Sequence, residues 1–382
     1  MSGLVIIGSG FAGYHTAKQF RLLNAEEKLA IITSHSGSFY SKPQLSTLQA
    51  KSKHPEALIT KSSEQMAEEL NADIIVNTRV ISIDRANKQI VLENNETIPY
   101  DKLVLATGAK VNRLPLPQAS LDLMFSVNNL EDYFYLHKQL EYKKPKNIVI
   151  IGSGLVGCEL ANDYIQAGYA VTVVSNEAYP MSRLMPEALG KAFQKTCEGA
   201  GIQFILNASV DSIQKDEEKV SVKLVDQNLT ADMVISAIGF KPNVTLAQQA
   251  GLTIDQGIVV NNQFQTNDVD IFSIGDCAVL EGHWRPYIGP ILHGGKVLAQ
   301  VLAGNEQAKI EYPVMPVIAK TPLCKVQGVF DHPEKMKKYR VEVDESATKG
   351  FYYNDQNELK AFVLIGDAVL ERPQWIEKLV KG

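Results

Sequence analysis

The chain has 382 residues, of which 45% are hydrophobic and 21% charged, and a formal net charge of −5. That length is too great for one comfortable core and implies two or three domains, while the mild acidity gives no reason to expect nucleic acid, whose binding rests on clustered positive charge. No apolar run approaches the roughly 20 residues of a membrane span, and the N-terminus reads as a strand rather than a signal peptide. Cys158, Cys197, Cys277 and Cys324 are scattered, with neither C-x-x-C nor metal-ligand spacing. A protein of the reducing cytoplasm, without a membrane or a metal, is expected.

In chain order, the first elements are an apolar strand, LVIIG, a glycine turn, a helix through AGYHTAKQFRLL, and a second strand, KLAIIT, at 28–33. Gly8, Gly10 and Gly13 have the Gly-x-Gly-x-x-Gly spacing of a dinucleotide-binding β-α-β unit. The tight turn needs Gly8, close approach of a pyrophosphate needs Gly10, and helix–strand packing needs Gly13; Ser9, Phe11 and Ala12 fill the positions between. The helix N-terminus then faces the phosphates with its unpaired N–H groups. The six letters VIIGSG recur at 149–154, followed by Gly157. The second copy runs from strand NIVIIG through Gly152, Gly154, Leu155, Val156 and Gly157 into helix CELANDYIQAG and strand AVTVVS. Two such turns in the required setting predict two dinucleotides.

Neither copy has an acidic residue directly after its second strand, where a ribose hydroxyl would be held. The first reads Thr33-Ser34-His35 and the second Ser175-Asn176, with Glu177 slightly late. Thr33, Ser34 and Ser175 could supply hydroxyl contacts instead. No arginine immediately follows the second strand to meet a 2′-phosphate, which favours NADH over NADPH.

Three further segments lie around the turns: YDKLVLATGA at 100–109, with Thr107-Gly108; DMVISAIGFKPN at 232–243, with Gly239; and VDIFSIGDCA at 269–278, with Gly275-Asp276. Each alone is a strand running into a turn. Together, in this order, they resemble the two-dinucleotide flavoprotein disulfide reductase superfamily, over roughly 5–304. The resemblance implies an α/β fold with two Rossmann-like domains. A discontinuous FAD domain (1–110 and 240–312) holds an inserted NAD domain (111–239), and a small α+β C-terminal domain follows (313–382). It implies that the first turn binds FAD and the second NADH, and that Asp276 holds a ribitol hydroxyl of the flavin. Val80 and Ile288 join the cofactor contacts on the same basis.

Disulfide-reducing members carry cysteines near the first turn or as C-x-x-C in the NAD domain, whereas this chain has none before Cys158 and reads FYSKPQLST at 39–47. The electrons are therefore expected to leave for an external acceptor. On spacing alone Lys42 is a solvated loop lysine and Glu159 a helix-surface carboxylate. The resemblance makes them a catalytic pair beside the flavin and nicotinamide, and gives Lys320 or the helix at 289–304 the task of stabilising reduced flavin. YSKPQLST, GLVGCELAND, SIGDCA, LAGN and AKTPLC narrow the resemblance to bacterial rubredoxin–NAD reductases. NADH would reduce FAD, and FAD would reduce rubredoxin one electron at a time, in the family often for an alkane hydroxylase. Reductases of flavorubredoxin or ferredoxin, and an NADH-responsive sensor, are the alternatives. Small acidic rubredoxin calls for a basic docking site; Lys143-Lys144-Pro145-Lys146 and Lys335–Arg340 are the basic clusters. Nothing in the sequence sets the oligomeric state.

Overall fold

The run Leu4–Ile7 is buried at all four positions, as a strand must be when both faces of its sheet are covered. Side chains alternate across a strand. Leu4 and Ile6 accordingly join Tyr14, Phe20 and Leu298 in one core, while Val5 and Ile7 join Ile83, Ile90 and Leu252 in another. The computed structural model describes residues 3–51, 54–331 and 333–381. It divides into two compact units: Met1–Lys42, Glu56–Lys110 and Phe240–Pro313 form the first, and Pro43–Pro55, Val111–Gly239 and Val314–Gly382 the second.

In the first unit, Leu4–Ile7 is the centre of a five-stranded, wholly parallel sheet ordered 271–273, 102–105, 4–7, 29–32, 73–75. Helices Phe11–Arg21 and Ile288–Leu302 pack on each other over one face. A three-stranded antiparallel sheet, 80–84, 89–92 and 97–99, contributes Ile83, Ile90 and Leu92 to the core on the other.

The second unit repeats the plan. Asn147–Ile151 is the centre of a parallel sheet ordered 124–125, 233–236, 147–151, 170–174, 203–205. Ile148 and Ile150 face a core with Tyr164 and Phe193, and Val149 and Ile151 face one with Ile213, Val220 and Val222 from an antiparallel three-stranded sheet. From Val314 onward the chain builds a five-stranded antiparallel sheet, 317–319, 326–329, 359–365, 349–353, 340–343, and the helix Arg372–Lys381. Its longest strand again splits by parity. Ala361 and Val363 enter the core around Tyr164 and Phe193, whereas Phe362 and Leu364 pack with Trp375 of the closing helix. The chain is thus an α/β protein with two Rossmann-like sheets and an α+β C-terminal portion. Among the described residues no helix is long and apolar enough to cross a membrane.

Candidate active site

At the first turn Gly8 has φ +116°, and a Cβ there would lie 2.2 Å from the Ala106 carbonyl oxygen. An L side chain is excluded twice over, by conformation and by space. Gly13 presses on the Gly8 carbonyl, where a Cβ would come to 2.0 Å. Gly10, the N-cap of the following helix, has no side-chain cap and open space where its Cβ would be. The result is a cradle of backbone N–H groups with room for a pyrophosphate. Ser9 Oγ donates to Thr33 Oγ1 at 2.9 Å, and the His35 amide donates to the same hydroxyl. Ser34 is exposed.

Further segments of the same unit complete this site. Gly275 packs so closely on the helix start that its Cβ would lie 2.7 Å from Ala12 Cβ. The next residue, Asp276, has its carboxylate 3.7 Å from Lys42 Nζ, and its carbonyl accepts from Trp284 Nε1 at 2.9 Å. Thr107 and Asn243 hold each other's backbone: Thr107 Oγ1 donates to the Asn243 carbonyl, and Asn243 Nδ2 to that of Thr107. Gly108 accepts from the Asn243 amide. Ile288 opens the helix packed against Phe11–Arg21, and Val80 opens a strand of the antiparallel sheet.

The second turn has nearly the same geometry. Gly152 has φ +110°, its Cβ would lie 2.4 Å from the Ala237 carbonyl oxygen, and that of Gly157 would lie 2.0 Å from the Gly152 carbonyl. Gly154 is again an open N-cap without a side-chain cap. Leu155 and Val156 begin the helix and pack on its core. Ser153 Oγ donates to Ser175 Oγ at 2.8 Å, and the Glu177 amide donates to Ser175. Glu177 is half-buried, bonded by Ser182 and faced by Arg183 at 3.5 Å. Gly239, at φ +89°, follows the Ala237–Ile238 stretch that backs the turn, and its carbonyl accepts from the Asn112 amide.

The helix Leu155–Gln166 then departs from its counterpart. Glu159 is only 3% exposed. Its Oε2 accepts from Ser46 Oγ at 2.6 Å and lies 2.5 Å from Lys320 Nζ; Oε1 accepts from the Lys320 amide at 2.9 Å. Lys320, which the sequence reading assigns to the flavin, is thus the ion partner of Glu159 within this unit. One turn on, Asn162 accepts from the Leu323 amide and donates to the Cys158 carbonyl. Asp163 accepts from the Gln49 and Ala50 amides at 2.8 and 3.1 Å. Burial raises the Asp163 carboxyl above its ordinary range, and those two amides only partly oppose that rise. The sequence reading misses Ser46, Asn162 and Asp163. The one available signal was three polar residues at i, i+3 and i+4, which on a helix share one face.

All four cysteines are free and buried. Burial pushes the Cys197 thiol up to about 12 and that of Cys158 well above its usual value, so neither supplies a thiolate near neutral pH.

Residues 2–305 match the family described as pyridine nucleotide-disulphide oxidoreductase, and residues 309–379 match one described as rubredoxin binding C-terminal domain. The chain belongs to the pyridine nucleotide-disulphide oxidoreductase family. Its relatives are more particular. It is 38% identical over 386 residues to the rubredoxin-NAD(+) reductase of Acinetobacter baylyi, covering 100% of this chain and 98% of that protein. It is 34% identical over 369 residues to a nitric oxide reductase FlRd-NAD(+) reductase of Vibrio vulnificus, covering 96% of this chain and 95% of that one. Among solved structures, the ferredoxin reductase for the CYP199A2 system of Rhodopseudomonas palustris superposes with a TM-score of 0.85 at 27% identity, covering 97% and 94%.

Proposed function

We propose that this chain is an FAD flavoprotein that passes electrons from NADH to rubredoxin, one at a time. The observation that carries the reading is a junction inside one compact unit. The portion matching a rubredoxin-binding domain donates Lys320 to Glu159, on the helix that follows the second glycine turn. Both turns fit a dinucleotide, because each ends in an uncapped helix N-terminus with empty space at the middle glycine.

We assign FAD to the first turn. Gly8, Gly10 and Gly13 admit its pyrophosphate, and Asp276, with its carboxylate 3.7 Å from Lys42 Nζ, is the acceptor for a ribitol hydroxyl. The nicotinamide nucleotide goes to the second, where Glu177 disfavours a 2′-phosphate by charge and so supports NADH. A bound flavin takes two electrons as a hydride and can return them singly. The protein's part is placement and electrostatics. Glu159, satisfied by Ser46 and by both nitrogens of Lys320, is a fixed negative charge that holds the Lys320 ammonium in one position. The high thiol pKa values of Cys158 and Cys197 are consistent with an acceptor outside the chain. We assign rubredoxin docking to the exposed lysines of 335–338, on the matching C-terminal portion. A cytoplasmic setting and a rubredoxin-dependent oxygenase downstream, such as an alkane hydroxylase, complete the proposal.

The test is anaerobic stopped-flow absorbance. The flavoprotein, reduced with one equivalent of NADH, is mixed with oxidised rubredoxin, and separately with flavorubredoxin and ferredoxin. Reoxidation fastest with rubredoxin is the expected result. Faster reoxidation by flavorubredoxin would reassign the acceptor, and no reoxidation by any of them would overturn the reading.

A further inference from the structure

A cluster in the second unit belongs to neither turn. His137 and Glu141 stand one helical turn apart on the helix Leu130–Lys143, and His54 reaches them from the 43–55 segment. The ligand atoms of the three side chains all lie within 4.8 Å of one another. The ring centroids of His54 and His137 are 4.8 Å apart at 88°, an edge-on arrangement that keeps one ring from covering the nitrogens of the other. His137 Nε2 is 3.4 Å from Glu141 Oε1, and neither ring nitrogen of His137 makes a hydrogen bond although both are buried. Two buried imidazole nitrogens that make no hydrogen bond, one of them facing a carboxylate, are costly in a folded protein and ask for an occupant.

From these residues we infer a binding site for a divalent transition-metal ion, Zn²⁺ above all, with His54, His137 and Glu141 as ligands. Two imidazoles and a carboxylate form a borderline N/O donor set suited to Zn²⁺, with a fourth position left to water. The 3.4 Å between His137 Nε2 and Glu141 Oε1 matches the edge of a tetrahedron whose metal–ligand bonds are about 2.0–2.1 Å. His54 and Glu141 are exposed, so each can complete the coordination by rotating its side chain. Phe134, Tyr135 and Lys138 complete the lining of the pocket around the three side chains.

The consequence is mechanical as well as chemical. The 43–55 segment is otherwise tied to the second unit through Ser46, Gln49 and Ala50. A metal at His54 adds a fastening at its far end, and cross-links it to the helix that also carries Tyr133.

The experiment uses the tag-free holoprotein. Zn²⁺ binding is measured by competition with a chromophoric chelator and by metal content after gel filtration, on wild type, His54→Gln, His137→Gln and Glu141→Gln. One Zn²⁺ per chain is expected for wild type. Each variant should bind at least about ten-fold more weakly, the smaller end of what is lost even when an outer-sphere support of a metal is removed. His54→Gln and Glu141→Gln alter exposed side chains, so unchanged flavin content and circular dichroism will confirm that they fold. Wild type that binds no Zn²⁺ at 100-fold excess would overturn the site. Binding of equal strength in both exposed-residue variants would overturn it too, by showing that the ion sits elsewhere.

Discussion

The two glycine turns share their backbone and differ in what surrounds the helix that follows. In both, the first glycine holds a strongly positive φ, the third presses on the carbonyl of the first, and a serine between them bonds a hydroxyl at the end of the next strand. The positions of Glu159, Asn162 and Asp163 correspond to His15, Lys18 and Gln19 on the first helix. Those three are half-exposed, and His15 and Lys18 have partners in Leu292 and Glu69. On the second helix the same face is closed over by Ser46–Ala50 and by Lys320–Leu323. The nucleotide-binding geometry is therefore independent of the environment of the helix, whereas the polar row is specific to it. The same backbone device recurs in both places, and the second helix also organises two neighbouring segments.

The sharpest way to break the comparison is to place a Cβ in each turn. Gly8→Ala and Gly152→Ala would each force that atom to within 2.4 Å of a carbonyl oxygen, and each should destabilise its unit by about 3 kcal/mol or more. Thermal unfolding measures the loss, and the flavin content of whatever folds separates the two roles. Gly8→Ala should lose FAD, while Gly152→Ala should keep it but no longer be reduced by NADH. Equal loss of flavin in both would end the assignment of one nucleotide to each turn. Next, Glu159→Ala should lower stability by about 2–3 kcal/mol, below the usual loss for a fully buried pair because the Lys320 side chain can reach water. The corresponding His15→Ala should cost less than about 1 kcal/mol. Similar melting temperatures for the two would erase the contrast between the helices.

A smaller effect has a pH signature. Because the folded chain raises the Asp163 pKa, it binds that proton more tightly than the unfolded chain does. Stability therefore falls as pH rises from the unfolded carboxylate range, about pH 4, through the folded pKa. Asp163→Asn should flatten that fall in urea titrations, and an unaltered slope would remove Asp163 as its source. Ser9→Ala and Ser153→Ala should have the smallest effects, about 1 kcal/mol each for one lost hydrogen bond, and should match each other if the turns are equivalent.

What could be read in advance follows the distance over which the physics acts. The parallel strands, the glycine turns and their helices were legible because apolar runs and glycine spacing encode local conformation. Asp276 and Lys42 each stand out only through the family resemblance, which does not foretell their mutual 3.7 Å approach. The pairing of Glu159 with Lys320 joins residues on separate elements, far apart in the chain. Nothing local in AKTPLC announces that its lysine meets a buried carboxylate. Asn162 and Asp163 were passed over because a polar residue in a helix is ordinarily solvated, and only the covering segments reveal that theirs is not. His54, His137 and Glu141 have the same obstacle: a helical His-x-x-x-Glu pair is common, and its third member arrives from another segment.

The covered row on the second helix bears on how readily the C-terminal portion of this protein could be exchanged. A graft that replaces the chain after Pro313 with the tail of a relative removes the Lys320 ammonium, the Lys320 amide and the Leu323 amide together, and leaves Glu159 and Asn162 to find substitutes. A chimera is workable only if the incoming tail presents a cation and two amides at the same places, or if the two helix residues are exchanged along with it. The C-terminal portion and the helix therefore form a matched set, and a donor tail should be chosen for that fit before any other.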